Sequence, residues 1–339
     1  MRIDGRLQAT SYGAQRDTAL RHEAVGYAGL WTSESRHDPF LPLMVAGEHT
    51  TSLELGTAIA VAFARTPMTV AYTAHDLQCM SGGRFLLGLG TQVRPHIERR
   101  FAMPWSHPAR RMREFIEALR AIWGSWNDGA DLDFRGEFYS HTLMSPFFAP
   151  PPSPTGPPEV HLAAVGEQMT ELSGEVADGL LVHAFTTERY LRERTLPALA
   201  RGMAKAGRVR ADLALSIPGL VAAGPTEEAM ADAVRKTRDQ IAFYGSTPAY
   251  RSVLEFHGWD DLAVALHELS RSADPDRWRT MGTLIDDEVL NTFAVVAEPD
   301  QVAAAIAARF DGLIDRFSFY TPYEVDEQIW DPVVAAFRD

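Results

Sequence analysis

FLLGLGT, Phe85 to Thr91, is an apolar run broken only by two glycines and closed by a hydroxyl, and it reads as a strand buried on both faces. Just before it in the chain stands LELGTAIAVAF, Leu53 to Phe63. The same kind of run recurs at Arg2–Thr10, Gly29–Glu34, Val160–Val165, Gly179–Phe185, Leu213–Ala223 and Arg316–Thr321. Longer segments of helical period separate the runs. Buried strands alternating with helices mark βαβ units around a parallel sheet. Eight of them predict closure into a (β/α)8 TIM barrel, one α/β domain over residues 1–339.

The strongest helical signal is Pro108–Trp126, where Met112, Phe115, Ile116, Leu119, Ile122 and Trp123 recur every three or four residues; it reads as core packing against the sheet. Thr226 followed by Glu227 and Glu228 reads as a capped helix start, with the helix running towards Tyr244 and stopping at Gly245. Between the seventh and eighth runs, about residues 245–312, helices are expected near Tyr250–Phe256, Asp260–Ser270, Pro275–Ile285 and Pro299–Phe310, with no further strand. Insertions at the upper face of a barrel build substrate pockets. The shape of this one would depend on Tyr244, Tyr250, Trp278 and Met281. The proline-rich run Ser145–Val160 falls between the fourth and fifth strands, and a barrel needs both halves to close, so it reads as a surface loop and not a domain linker.

The chain has 339 residues, 46% apolar and 23% charged, with a net charge of −13, the balance of a folded globular protein. An acidic surface repels phosphate backbones and anionic lipid, so neither nucleic acid nor a membrane is an expected partner. The arginines Arg94, Arg99, Arg100, Arg110, Arg111 and Arg113 read as a solvated rim. A single cysteine, Cys79, leaves no intramolecular disulfide and no multi-cysteine zinc or iron–sulfur site; no metal site is expected. With no leader-like amino terminus and no long apolar stretch, the expected location is the cytoplasm.

Chemistry on a barrel gathers at the C-terminal ends of the strands. After the second run comes WTSESRHDPF, which places Glu34, His37 and Asp38 in one loop. Histidine exchanges protons near neutral pH, and a neighbouring carboxylate orients it or raises its pKa. His37 is therefore the candidate acid–base group, helped by Glu34 or Asp38. Asp38 before Pro39 reads equally as a helix cap that leaves His37 exposed. In GRFLLGLGTQV, Gly83–Val93, Gly88 and Gly90 leave room for a flat ligand near the backbone. No third glycine completes a dinucleotide fingerprint. Ala164, Val165 and Gly166 lead into a helix starting near Glu167, whose free N–H groups offer a phosphate site, a pattern that an ordinary strand-to-helix turn shares. After Glu54 the third run has no ionisable group before Arg65 and offers an apolar wall to one face of a ring.

The order LGTAIAVAFARTPM, SGGRFLLGLGTQV, PARRMREFIEALRAIW, PPEVHLAAVGEQM and GEVADGLLVH resembles the luciferase-like monooxygenase superfamily over essentially the whole chain, including IAFYGSTPAYR in the insertion. Within it the chain resembles the coenzyme F420-dependent branch, which includes methylenetetrahydromethanopterin reductases and sugar-phosphate dehydrogenases. The resemblance implies a barrel with an insertion before the last strand and a bound deazaflavin, or FMN as the alternative. It implies that Ala62, Phe63 and Ala64 form the bulge, often with a non-prolyl cis peptide, that supports the ring. Gly90, Thr91 and Gln92 match the ring-contacting turn, and Gly166, Glu167, Gln168 and Met169 the phosphate-binding turn. Relatives that oxidise with deazaflavin often carry Asp-His after the second strand, where this chain has Glu34-Ser35. An acid of the sugar-phosphate enzymes is replaced by Val93, so a sugar phosphate is not the expected substrate.

The expected activity is hydride transfer between F420 and a small organic substrate in a homodimeric enzyme. An FMN monooxygenase acting with oxygen on a small apolar or sulfur-containing substrate is the alternative. A barrel that binds cofactor without catalysis is the third reading.

Overall fold

A computed structural model describes residues 1–8 and 11–338. Eight parallel strands close into a barrel: β1 Arg2–Arg6, β2 Gly29–Thr32, β3 Glu54–Thr57, β4 Phe85–Gly90, β5 Glu159–Ala164, β6 Gly179–Val182, β7 Ala214–Ala222 and β8 Arg316–Tyr320. Each pairs with the next in sequence order, and β8 returns to β1 with Arg316 opposite Arg2. The strands are shorter than the apolar runs, because the ends of the runs turn over the rim into the following helices. Ala9 and Thr10, read as part of the first strand, lie outside the described residues.

The helices pack their apolar stripes on the outside of the sheet. In Pro108–Asp128 all six stripe residues are buried, as their spacing requires. Thr226 caps Glu227–Gly245 by accepting the N–H of Ala229 at 3.2 Å. The proline-rich loop is pinned to the helical layer: the carbonyl of Pro151 accepts from Nε2 of His75 at 3.1 Å, and the N–H of Ser153 donates to Asn127 at 2.8 Å.

Two strand elements depart from expectation. Phe134–Arg135 and Ser140–His141 form a small hairpin, and Ala294–Val296, inside the segment expected to be helical throughout, pairs in parallel with Leu220–Ala222 at the tip of β7. An additional helix, Asp287–Phe293, leads into that strand. The insertion has its own apolar core, including Ile241, Leu254, Leu266, Met281 and Leu290, which meets the barrel at Phe185 and Leu220. Among the described residues, no helix is long and apolar enough to cross a membrane.

The N-terminal end of the barrel is filled by charge. Asp4 accepts from Nε and Nη2 of Arg316, each at 2.7 Å, and from the indole of Trp31 at 2.9 Å. Glu54 also pairs with Arg316, and with Arg2 at 2.9 Å. Burial opposes the charged form of Glu54, but the two guanidiniums outweigh it and hold the carboxyl below its usual range. Above this layer Trp31, Leu86 and Leu181 pack with Ile59 and Ala163. The remaining open end is the C-terminal one.

Candidate active site at the barrel mouth

After β3 the chain makes a non-prolyl cis peptide at Ala58-Ile59 and then a two-residue strand, Ala60–Val61, that pairs with Leu89 and Gly90. The surroundings fix this path. The N–H of Ala58 donates to the carbonyl of Thr32 at 2.6 Å, and that of Glu34 to the carbonyl of Ile59 at 3.1 Å. The Glu34 carboxylate, almost enclosed, accepts from the N–H of Val61 at 2.7 Å and from Arg65 at 2.6 Å.

This geometry corrects four expectations. The cis peptide lies ahead of Ala62, Phe63 and Ala64, which form a single 3-10 turn. Ala62 and Phe63 have no exposed surface; Phe63 lies edge-on to Trp105 and beneath the guanidinium of Arg111, 4.6 Å from its centroid. A side chain without exposed surface offers no contact to a ring, so Ala62 and Phe63 serve packing instead. Gly88 and Gly90 leave room for protein and not for a ligand: a Cβ on Gly88 would stand 1.6 Å from the carbonyl oxygen of Thr57, and one on Gly90 would stand 2.9 Å from the side chain of Ile59. Arg111, expected on a solvated rim, is buried and donates to Tyr139 and to the carbonyl of Pro104.

The fourth correction concerns His37, Glu34 and Asp38. The two carboxylates converge on Arg65, with Asp38 at 3.1 Å, and Asp38 also accepts the N–H groups of Phe40 and Leu41 at the start of the next helix. His37 is exposed and makes no hydrogen bond to the described residues. The helix-cap reading of Asp38 is the one the structure shows.

Gly90 ends β4, and half-buried Thr91 and Gln92 follow at the rim, Gln92 in the left-handed region at φ 57°. Beyond β5 the turn reaches Gly166, whose φ of +80° is one that side-chain-bearing residues rarely adopt. Ala164, Val165, Gly166 and Glu167 line a cleft of about 130 Å³ with Thr186, Arg194 and Arg201. Gln168 and Met169 are not among its lining residues; Met169 packs on the main core. Arg201 is paired with Glu167 and Glu171, whereas Arg194 has no carboxylate partner among the described residues. The hydroxyl of Thr186 is buried without a hydrogen-bond partner.

His183 follows β6 and lines the same cleft. Its ring stacks on Tyr250, with centroids 4.3 Å apart, and meets Tyr244 nearly edge-on at 4.8 Å. The N–H of Phe185 donates to its Nδ1 at 3.0 Å. Burial pushes its pKa down to about 4, so the ring is neutral at pH 7. The hydroxyls of Tyr244 and Tyr320 lie 2.8 Å apart, and burial together with the neighbouring phenol raises the pKa of Tyr244. Tyr244 and Tyr250 thus pack around the His183 ring where the insertion meets the barrel. Trp278 lies partly exposed against Phe243, and Met281 is buried in the insertion core. His183 was missed because the run Gly179–Phe185 was read as strand to its end. The strand stops at Val182, and the rule that chemistry follows the strand then selects His183.

The model of the luciferase-like monooxygenase family matches residues 1–316. An uncharacterized protein of Mycobacterium tuberculosis is 55% identical over 316 residues, covering 93% of this chain and 92% of its own. The F420-dependent glucose-6-phosphate dehydrogenase 1 of Rhodococcus jostii is 28% identical over 299 residues, 86% of this chain and 81% of its own. Among solved structures, the coenzyme F420-dependent tetrahydromethanopterin reductase of Methanopyrus kandleri superposes with a TM-score of 0.80 at 18% identity, covering 98% of this chain and 97% of its own.

Proposed function

Because the chain belongs to the luciferase-like monooxygenase family, we propose that it is an oxidoreductase that binds coenzyme F420 at the barrel mouth and serves hydride transfer to or from a small organic substrate. The observation that carries this reading is the cleft, which joins the Gly166 turn to His183 at the barrel mouth. Its residues fit an anionic cofactor tail. Free N–H groups begin the helix Glu167–Val176, Arg194, which lies over the ring of Phe256, has no carboxylate partner among the described residues, and the buried Thr186 hydroxyl has no hydrogen-bond partner there. The resemblance of segment order to F420-dependent enzymes, and the F420 dependence printed in the names of two of the proteins above, favour deazaflavin.

When bound, the coenzyme would supply the hydride chemistry. The residues of this chain would orient the reactants: Ile59, whose carbonyl accepts the N–H of Glu34 and whose side chain abuts Gly90, contributes an apolar wall. Fluorescence titration of the protein with F420 and with FMN tests the reading. Saturable F420 binding weakened about tenfold in Arg194→Gln is expected, one charge-assisted contact being removed; FMN binding with no F420 binding overturns it.

One observation favours the second reading, an FMN monooxygenase. Glu34 is committed to Arg65 and Val93 carries no acid, so two acidic positions of deazaflavin dehydrogenases do not serve here. Oxygen uptake that depends on reduced FMN and an apolar substrate would establish that reading instead.

A further inference from the structure

A second cavity, of about 340 Å³, lies on the outer side of the barrel wall, a size at the lower end of small-molecule sites. It is enclosed by β1, β8, the helix Tyr12–Val25 and the segment that follows β8. None of its lining residues belongs to the cleft at Gly166. Side chains alternate across a strand, so Asp4 turned into the barrel puts Gly5 outside. His22 packs there: a Cβ on Gly5 would stand 2.1 Å from its ring. His22 is only 2% exposed, and its Nδ1 lies 2.8 Å from the carbonyl of Thr18. A carbonyl only accepts, so Nδ1 carries the proton and Nε2 of the neutral ring presents a lone pair. Nε2 makes no hydrogen bond to the described residues; the Glu327 carboxylate, another acceptor, stands 3.9 Å from it. A proton on Nε2 would reconcile the two, but burial opposes it and pushes the pKa of His22 below its usual value. Arg21 lies 4.0 Å from Glu327 and gives its closer contact, 2.8 Å, to Asp331.

We propose that this cavity is a second binding site, separate from the barrel mouth, for a small organic cation that carries a primary ammonium on an apolar frame. An ammonium has three N–H donors and no acceptor. One N–H goes to Nε2 of His22 and another to Glu327, whose carboxylate supplies the counter-charge. Tyr27, Phe319 and Trp330 line the same cavity, Phe319 stacked on Trp330 at 4.5 Å and Tyr27 beside the His22 ring at 4.4 Å. Such rings offer apolar surface to the frame and attract a cation. A hydroxyl has a single donor and satisfies one of the two acceptors. A carboxylate would meet like charge on Glu327 and on Glu324, which also lines the cavity. The net charge of −13 draws cations to the protein as a whole.

Calorimetric titration of the full chain with benzylamine, an ammonium ion at pH 7, tests this. One saturable site per chain is expected. Benzyl alcohol, which lacks the charge, and benzyltrimethylammonium, which keeps the charge and loses every N–H, should each bind at least about tenfold more weakly. Glu327→Gln changes an exposed residue and should weaken benzylamine about tenfold, whereas Arg194→Gln, in the other cleft, should leave its binding unchanged. In ¹⁵N NMR of histidine-labelled protein, the unprotonated Nε2 of His22 should shift as benzylamine saturates. The proposal is overturned by any of four results: no saturable binding of benzylamine, benzyl alcohol or benzyltrimethylammonium bound as tightly, unchanged binding in Glu327→Gln, or a His22 signal that does not move. Benzylamine binding lost in Arg194→Gln would likewise overturn it, by placing the ligand at the barrel mouth. No coenzyme enters these measurements, so their outcome is independent of the F420 titration.

Discussion

Glu34 and His183 show how little residue type alone says about role. Both follow a barrel strand, yet Glu34 spends both of its contacts on protein, bonding the N–H of Val61 and the guanidinium of Arg65. Replacing Glu34 with Ala would strand a buried N–H and uncouple Arg65, and about 2–4 kcal/mol of stability should be lost in urea unfolding. The pKa of His183 is lowered to about 4 by burial. The unfolded chain then binds a proton below about pH 6.5 that the folded protein refuses, so stability falls as pH drops from about 6.5 to 4, by up to roughly 3 kcal/mol. His22, also pushed down mainly by burial, adds in the same direction. Stability measured against pH should therefore be flatter over this window in His183→Phe than in the parent. An equal slope in the two proteins would show that the ring is not desolvated. His183 was legible only once the end of β6 was known, because the apolar residues around it continue past the last ladder bond and mask the point where the strand stops. Glu34 was legible as a residue at the mouth but not as a clamp, since its partner Arg65 lies 31 residues away and only closure of β2 against β3 brings them together.

Among the elements, the contact of β3 with β4 is the tightest close approach at the mouth. The Thr57 hydroxyl donates to the carbonyl of Gly88 at 2.7 Å and accepts its N–H at 3.0 Å, and the space a Cβ would need at Gly88 is filled by the Thr57 carbonyl. Gly88→Ala should cost about 3 kcal/mol or more, because backbone and not a flexible side chain would have to move. A melting temperature within 2–3 °C of the parent, roughly the shift of 1 kcal/mol in a chain this long, would refute it. The strands themselves were readable because burial on both faces leaves unbroken apolar runs. The long helices were readable because their stripes span several turns. Ala294–Val296 escaped because three residues carry no period, and its pairing depends on where β7 ends in space. The glycines of β4 read as room for a flat ligand, and it is Thr57 and Ile59 that fill that room, because sequence does not say what approaches.

For the molecule as a whole, the charged layer at the N-terminal end of the barrel couples β1, β2, β3 and β8 through Asp4, Trp31, Glu54 and Arg316. Arg316→Met would leave Asp4 buried without its guanidinium and Glu54 with Arg2 alone, and a loss of about 3–5 kcal/mol is expected near neutral pH. The depressed pKa of Glu54 fixes the sign of the pH effect. The stability it contributes is present above its unfolded value, about 4.3, and disappears as pH falls through the lower folded value. The gap between parent and Arg316→Met should therefore narrow below about pH 4.5 in chemical denaturation; a gap that widens in acid would exclude the assignment.

That filled floor has a kinetic consequence. A vessel closed below has a single doorway, and two guests sharing it cannot come and go independently: the deeper one arrives first and departs last. Steady-state kinetics should then be ordered and sequential, with a dead-end analogue of the outer guest uncompetitive against the inner one. Noncompetitive inhibition in both directions would mean that the barrel has a second way in.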